Sequence, residues 1–384
     1  MYLSLSMGIT PLSSSFNGYN VKLPFLMIGI FLVLRNEKIA PIIKRNFHNK
    51  NNQVIQYIIF VMALIGVLTG SSIIPVLLDY IAISFFFFLF KICFDTELDY
   101  MNFKKFVKGL FATISLLELL IMYLGLSGAT DDNRFICLTI CPFFMSIVFL
   151  NEKRMGLSIF FFSILAYMTI RCGMRVNYIV VILYILYFLY TILHRNDLRL
   201  LKKISSITIL IMLVIVSFPI AQNYIESDAS RNLHMVTRFT NMFDSEQNEE
   251  ATRIATNKLI ITHTEEFIFP HGIGWLNHIQ NIQAKYRIYG VLSTMDSNLL
   301  YCVYHFGLFF GLYIMMKVLI PCLKGIISAI NTMNDKDIIM SACLFTAILS
   351  MFILKSWIFV YTSFGIIYGI LFAYANGLKK YPSK

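Results

Sequence analysis

Two arginines, Arg171 and Arg175, lie in a very short hairpin between two long apolar runs. A guanidinium group stays charged in proteins and forms paired hydrogen bonds with phosphate oxygens, which suits a diphosphate. Ionisable side chains near a bilayer are energetically costly and are functional candidates by default. The alternative is that both side chains extend to lipid headgroups. We favour anion binding for Arg175, with Arg171 as a supporting residue.

A polar stretch of roughly 70 residues, over 226–295, interrupts the apolar runs late in the chain, and stretches of this length are usually functional. Its middle predicts a one-sided helix that ends before Pro270. Within that helix, Arg253 either pairs with Glu249 one turn earlier or takes part in anion binding. Arg238, which precedes the helix, is a weaker third cation.

Two groups near the end of this stretch are candidates for moving a proton. His271 lies between Pro270 and Gly272, so it is either a structural turn residue or a proton acceptor. Asp296 opens a long apolar run and either caps the helix that follows or acts on a hydroxyl group as a base. The interiors of the apolar runs are otherwise nearly free of charge, and Glu118 is the exception.

The composition requires a membrane to position these groups. Of the 384 residues, 58% are hydrophobic and 14% are charged, whereas soluble domains have about 45–50% and about 25%. An ordinary globular enzyme, a disordered chain and a disulfide scaffold are therefore excluded. We predict an all-α polytopic membrane protein with about eleven transmembrane helices. The predicted spans are roughly 22–34, 54–70, 73–91, 109–127, 135–150, 156–171, 177–193, 204–224, 297–319, 338–354 and 356–375.

The net charge of +11 reflects topology rather than a nucleic-acid surface. Of the 32 basic residues, 21 lie in alternate breaks between the spans, at 35–53, 91–108, 151–155, 194–203, 317–337 and 376–384. We place these breaks in the cytoplasm, so the arginine hairpin and the long loop are extracytoplasmic. The predicted organisation is a bundle of about eight spans over 1–225, a loop over 226–295 and three spans over 296–384.

Cysteine usage points to packing rather than to chemistry. The seven cysteines lie in or beside the predicted spans, and no Cys-x-x-Cys pair occurs. Cys137 and Cys141 are one helical turn apart, but no histidine or carboxylate accompanies them, so small apolar packing is the favoured interpretation. We therefore predict neither a disulfide framework nor a metal site, and no cofactor.

Four motifs follow one another along the chain on the predicted outer side. The first is 172–175 (Cys-Gly-Met-Arg) after an apolar span, and the second is the long loop itself. The third is Arg253 followed by the Gly-Ile-Gly turn at 272–274, and the fourth is 296–300 (Asp-Ser-Asn-Leu-Leu) followed by 306–311. In this order, they resemble the bacterial polysaccharide polymerases of the O-antigen polymerase (Wzy) type, which share a superfamily with the O-antigen ligases.

The resemblance implies a metal-independent glycosyltransferase with a GT-C-like architecture in the bacterial inner membrane, its active site facing the periplasm. Its substrate would be oligosaccharide repeat units on undecaprenyl diphosphate. Arg175, Arg253, Arg238 and Arg171 would bind the diphosphate, and Asp296 or His271 would act on the acceptor hydroxyl. A flippase and a chain-length regulator are the expected protein partners. Full-length relatives would have twelve spans.

The sequence leaves two other functions open, a ligase and a flippase. A ligase of the same superfamily would transfer finished chains to a lipid A core, but such ligases often carry histidine where this chain has Asp296. A lipid-linked oligosaccharide flippase would require charges inside several spans and internal repeats, neither of which the sequence shows.

Overall fold

The computed structural model describes residues 35–47, 50–71, 73–123, 139–172, 175–194, 267–274, 298–332, 335–354 and 362–382. These residues are helical apart from short connections, and no strand occurs among them. The all-α class predicted from the sequence is therefore confirmed for this part of the chain. The predicted spans at 22–34 and 204–224 and the predicted loop helix lie outside the described residues.

Ten helices occur in the described part of the chain. They are α1 (Ala40–Phe47), α2 (Lys50–Leu68), α3 (Ile73–Phe90), α4 (Glu97–Tyr123), α5 (Ile140–Asn151), α6 (Met155–Cys172), α7 (Arg175–Leu193), α8 (Asn298–Asn331), α9 (Lys336–Leu354) and α10 (Thr362–Lys380). Nine of them, α2 to α10, overlap predicted spans in position. Short polar breaks end these helices as expected: Lys153 adopts a left-handed φ of 64°, which closes α5 before α6 begins.

In the part of the chain that the structure describes, two helices are long and apolar enough to cross a membrane, over Tyr301–Asn331 and Lys336–Ile353. Five other helices are apolar but shorter, namely Gln53–Leu68, Val76–Phe90, Ile140–Asn151, Met155–Thr169 and Asn177–Leu193. The structure is thus that of a helical protein with helices suited to a membrane. About eleven spans and a GT-C-like arrangement stay predictions.

Two helices extend further than the hydropathy indicated. Helix α4 begins at Glu97 rather than near 109, and α8 continues to Asn331 rather than ending near 319. The side-chain hydroxyl oxygen of Thr96 accepts a hydrogen bond from the Asp99 backbone N–H, which caps the start of α4. The apolar run ends where charged residues begin, but the backbone hydrogen bonds of the helix continue past that point. Hydropathy therefore underestimates the length of such helices.

The chain divides into two compact units. Among the described residues, unit 1 comprises 108–123, 139–172 and 175–194, and unit 2 comprises the others. Both predicted domain boundaries, at 225 and 295, lie outside the described residues. The division falls within α4, between Val107 and Lys108.

Buried hydroxyl groups join the helices of unit 1. The Ser158 hydroxyl on α6 donates a hydrogen bond to the Ser146 carbonyl oxygen on α5 at 2.7 Å and lies 2.8 Å from the Tyr184 hydroxyl on α7. Small residues such as serine let helices approach closely and bond across an apolar interface. The Phe162 ring stacks on Tyr184 with the ring centres 4.5 Å apart. These contacts set the register of three helices.

Aromatic packing joins the helices of unit 2. The Phe372 ring on α10 is fully buried, 3.9 Å from the Phe90 ring on α3 and 5.2 Å from the Phe345 ring on α9, measured between ring centres. Along α10, Gly369 lies against Leu89, and Gly377 lies against Tyr100. Aromatic side chains bury large areas, so this layer contributes strongly to the stability of the unit.

We predict that Phe372→Ala lowers the free energy of unfolding by about 3–5 kcal/mol, because it leaves a cavity at the meeting point of α3, α9 and α10. The measurement is denaturant or thermal unfolding of the purified protein in detergent. Phe309→Ala is the matched control, because 74% of the Phe309 side chain is exposed; its effect should stay within about 0.5 kcal/mol. Equal effects of the two variants would contradict this packing.

Candidate functional site

A short non-helical segment, Phe267–Gly274, packs against α2, α3 and α8 in unit 2. Four consecutive backbone N–H groups of this segment each donate a hydrogen bond to a different acceptor. The N–H groups of residues 271, 272 and 273 donate to the carbonyl oxygens of Tyr304, His305 and Met62 at 3.4, 3.0 and 3.1 Å. The fourth, from Gly274, donates to Asp79 Oδ2 at 3.2 Å. The segment is therefore held along its backbone rather than by side chains alone.

A kink in α8 supplies two of these acceptors. Gly307 interrupts the helix with φ 74° and ψ 168°, a conformation that is essentially restricted to glycine. The carbonyl groups of Tyr304 and His305 lie just before the kink, where the helical partners four residues ahead are displaced. The N–H groups of His271 and Gly272 occupy the position that those partners would take.

Glycine also permits the closest backbone approach in the site. A Cβ atom at Gly66 in α2 would overlap the Ile273 carbonyl oxygen, and one at Gly272 would overlap the Gly66 backbone nitrogen. Gly272 itself has φ 79°, a conformation that other residues rarely adopt. A larger residue there would therefore have both a strained backbone and a clash with Gly66. The sequence predicts a tight turn over 271–275, of which the structure describes 271–274 as a non-helical segment with positive φ at Gly272 and Gly274. Close contact with α2 requires glycine at Gly272.

The carbonyl groups of the segment are bonded as well. The Thr69 hydroxyl donates to the His271 carbonyl oxygen at 3.1 Å, and the Ser71 hydroxyl donates to the Gly274 carbonyl oxygen at 2.5 Å. The Gly272 carbonyl oxygen lies 2.6 Å from Nδ1 of His305. A carbonyl oxygen only accepts, so Nδ1 of His305 carries the proton.

Asp79 is the buried carboxylate of this site, with 2% of its surface exposed. Its Oδ2 accepts hydrogen bonds from the Tyr301 hydroxyl at 2.9 Å and from the Gly274 N–H. Tyr301 and His305 stand one turn apart on α8, with their ring centres 4.0 Å apart. Asp79 thus connects α3 to both α8 and the segment, and it acts as a positioning residue.

The His271 ring is held in one orientation. It stacks on the Tyr304 ring with 4.4 Å between ring centres and 9° between planes. Its Nδ1 lies 3.2 Å from the Tyr304 carbonyl oxygen, so Nδ1 donates and the neutral ring carries its lone pair on Nε2. A half-buried imidazole whose second nitrogen bonds a carbonyl has the arrangement of a general base.

His271 is the one candidate from the sequence whose side chain the structure describes. Arg171 is the penultimate residue of α6 and Arg175 is the first residue of α7, both in unit 1, but their side chains lie outside the described part. Arg238, Arg253 and Asp296 lie wholly outside the described residues. The structure therefore brings His271 together with residues that the sequence analysis did not select.

Those residues are Asp79, Tyr301, Tyr304 and His305. The statement that Glu118 is the exceptional charge inside an apolar run was wrong, because Asp79 is a second one, six residues after the start of α3. This lone carboxylate in an apolar run was the available signal. The spacing of Tyr301 and His305 on one helical face was a second signal, although such pairs are more often core.

The described residues of this site do not form a set of metal ligands. Among the described residues, no group of three or more His, Cys, Asp or Glu side chains could hold a metal ion. The carboxylate of Asp79 bonds a phenol and a backbone N–H instead. The absence of a metal or cofactor from the reaction stays a prediction.

We predict that Gly307→Ala destabilises the protein by about 1–3 kcal/mol or more, because alanine is strained at this φ and ψ. Its Cβ would also meet the backbone of residues 268–270. Gly109→Ala is the control, since a Cβ there meets open space on a helix and should stabilise by up to about 1 kcal/mol. Thermal unfolding of both variants in detergent measures the difference, and equal shifts would contradict the close contact at Gly307.

We predict that Asp79→Leu costs more stability than Asp79→Asn. Leucine leaves the Tyr301 hydroxyl and the Gly274 N–H without their acceptor, at about 1–3 kcal/mol for each buried group, whereas asparagine retains one acceptor oxygen. Denaturant unfolding measures the order of the two variants. Asp95→Asn, at a carboxylate with 57% of its side chain exposed, should have little effect. An equal loss for leucine and asparagine would show that charge, not hydrogen bonding, holds the segment.

We compared the chain with protein-family models, curated proteins and solved structures, and none of the three comparisons found a match. The resemblance to O-antigen polymerases therefore rests on the motifs at 171–175, 253, 272–274 and 296–311. The function has to be inferred from those motifs and from the geometry around His271.

Proposed function

We propose that this chain is a glycosyltransferase that polymerises oligosaccharide repeat units carried on undecaprenyl diphosphate. In this proposal the product is O-antigen, capsular polysaccharide or exopolysaccharide. The reaction takes place at the periplasmic face of the bacterial inner membrane. Support comes from the order of the four motifs along the sequence and from the apolar helices, two of which are long enough to cross a membrane. A lipid-linked donor requires an enzyme with groups at the membrane boundary.

The observation that carries the proposal is the fixed His271 ring. Its Nδ1 is bonded to the Tyr304 carbonyl oxygen, which leaves Nε2 as the basic position. Tyr304 lies about 9 Å along α8 from the start of that helix at Asn298, given a rise of 1.5 Å per residue. Asp296 precedes this start by two residues in the sequence. His271 thus contacts the helix whose first residue follows Asp296 by two positions in the sequence.

The proposed reaction is a substitution at the anomeric carbon of the donor sugar. The acceptor hydroxyl oxygen forms a bond to that carbon, and the bond from the carbon to the diphosphate oxygen breaks. The proton of the acceptor hydroxyl passes to His271 or to Asp296. The electron pair of the broken bond stays with the diphosphate, whose growing charge Arg175 and Arg253 stabilise, with Arg238 and Arg171 in support.

This chemistry fits a chain without a nucleotide-binding motif. A lipid diphosphate is already a good leaving group, so a second carboxylic acid of the kind that glycosidases use is not needed. Fixed groups that need no reorganisation during the reaction are the most effective catalysts. The backbone bonds of residues 271–274 provide such fixation for His271.

Deletion of the gene tests the proposed function directly. Surface polysaccharide from the deletion strain, separated by size on a gel, should contain single repeat units and no long chains. A ligase would instead leave finished polymer on its lipid carrier, and a flippase would leave the repeat units on the cytoplasmic side. Either of these results would reject polymerisation as the function.

We predict that His271→Asn abolishes most polymerisation but leaves the fold intact. The asparagine amide can replace Nδ1 as donor to the Tyr304 carbonyl oxygen, but it supplies no base, and loss of a general base costs about 10²- to 10⁴-fold in rate. Complementation of the deletion strain, with chain length read on the gel, measures the effect. Long chains at the wild-type level in this variant would exclude His271 as the base and leave Asp296.

We predict that Arg175→Ala and Arg253→Ala lose long chains, by about 100-fold or more in rate, because each would stabilise charge in the transition state. Lysine at either position should restore little activity if paired hydrogen bonds matter. Arg154→Ala is the control, since Arg154 is an exposed arginine in the α5–α6 connection. Folded alanine variants that still build long chains would contradict the assigned roles.

A further inference from the structure

A second buried polar cluster lies in unit 1, where α5 and α7 begin. The Thr139 hydroxyl, just before α5, donates a hydrogen bond at 3.0 Å to Oδ1 of Asn177, in the first turn of α7. Both side chains are fully buried. The Asn177 Nδ2 group has no hydrogen-bond acceptor among the residues that the structure describes. An amide donor in such surroundings is costly unless something bonds it.

Glu118 on α4 lies at the end of unit 1 where α5 and α7 begin. Helices α4 and α5 run antiparallel, since Lys108 pairs with Glu152 at 2.5 Å and the Phe111 ring lies 4.8 Å from the Phe144 ring. This register brings Glu118 level with Cys141, two residues after Thr139, and the two side chains are close enough to interact electrostatically. The carboxylate and the Asn177 amide therefore lie at one level of unit 1.

The Glu118 carboxyl group is buried in unit 1 at a cost in folding free energy. It is fully buried, and neither oxygen has a hydrogen-bond partner within the described part of the chain. A buried carboxyl group without partners destabilises a fold, and an apolar residue of similar size would be more stable. Ionisable residues inside membrane helices are rare and mark functional sites by default. The cost therefore indicates a ligand rather than a packing role.

The two groups together select the chemistry of the ligand. A buried carboxyl group without a partner is neutral, so it can both donate and accept a hydrogen bond, whereas an amide NH₂ group only donates. An ammonium group cannot accept a hydrogen bond from Asn177, and a phosphate ion would be costly among these apolar side chains. A hydroxyl group both donates and accepts, and a sugar presents several of them. The pair is therefore complementary to a carbohydrate.

We infer that Glu118 and Asn177 form a subsite for the donor sugar that is attached to the diphosphate. Asn177 follows Arg175 by two residues in the first turn of α7, so the sugar subsite lies within one helical turn, along the backbone, of the proposed diphosphate-binding arginine. Glu118 accepts from one sugar hydroxyl, and Asn177 Nδ2 donates to another. This inference rests on the proposed function and adds the residues that recognise the sugar.

The test uses the purified protein and the lipid-linked repeat unit isolated from the deletion strain. Glu118→Leu is expected to unfold at the same or a higher temperature than the wild type, because it removes an unpaired buried carboxyl group. The same variant should raise KM for the lipid-linked repeat unit by about 10- to 100-fold, as expected when a sugar hydroxyl loses its buried hydrogen-bond partner. A purely structural residue would not combine higher stability with weaker binding.

Two further variants complete the experiment. Glu118→Gln keeps the side-chain volume and one acceptor oxygen, so its KM should rise about ten-fold or less while the protein remains folded. Glu152→Gln is the matched control, a glutamate of the same unit that pairs with Lys108, and its KM should equal that of the wild type. An unchanged KM in Glu118→Leu would overturn the inference. So would a lower unfolding temperature with unchanged KM, since Glu118 would then be a structural partner.

Failure of this inference is distinct from failure of the proposed function. If the wild-type protein makes no polymer from the isolated repeat unit, the proposed function fails, and the subsite fails with it. If the wild type makes polymer and Glu118→Leu has wild-type kinetics, the proposed function stands and only the sugar subsite is rejected.

Discussion

Backbone hydrogen bonds between the segment at 271–274 and its helices are the constraint on which the arrangement of unit 2 depends. Irregular backbone inside an apolar helical unit is tolerated only where every polar group finds a partner. Here the kink at Gly307 frees carbonyl groups on α8, and the segment supplies N–H groups for them. The N–H groups of the segment and the carbonyl groups of α8 thus provide each other's hydrogen-bond partners. The same contact orients the His271 ring and places Asp79 against Tyr301.

Hydrogen bonding of this kind offsets the cost of burying polar groups among apolar side chains. In unit 2 the buried carboxylate of Asp79 has two donors, so its role is to hold the segment. In unit 1 the carboxyl group of Glu118 has none among the described residues, which is the basis of the sugar subsite proposed above. The two acidic residues look alike in sequence, each alone in an apolar helix, but only the tertiary structure shows that their hydrogen bonding differs.

Helix positions were largely predictable because apolar runs of this length have few alternatives. Helices α2 to α10 lie where the apolar runs predicted them. Helices α4 and α8 extend beyond the predicted spans, because charged residues at a helix end lower the hydropathy without interrupting the backbone hydrogen bonds. The non-helical backbone after Pro270 was also predictable, since proline fixes φ and glycine permits positive φ. Its contact with Gly66 was not, because that contact joins residues far apart in the chain.

By itself, the sequence determined that this protein is helical, that it carries helices suited to a membrane, and that His271 stands in a turn. Composition and local backbone preference suffice for these properties, because each depends on neighbours along the chain. Only the tertiary structure decided that Asp79, Tyr301 and Tyr304 surround that turn, and that Glu118 lies level with Asn177. The physical reason is register. Helices can slide and rotate against one another without any change in composition, and specific packing alone selects which polar groups meet.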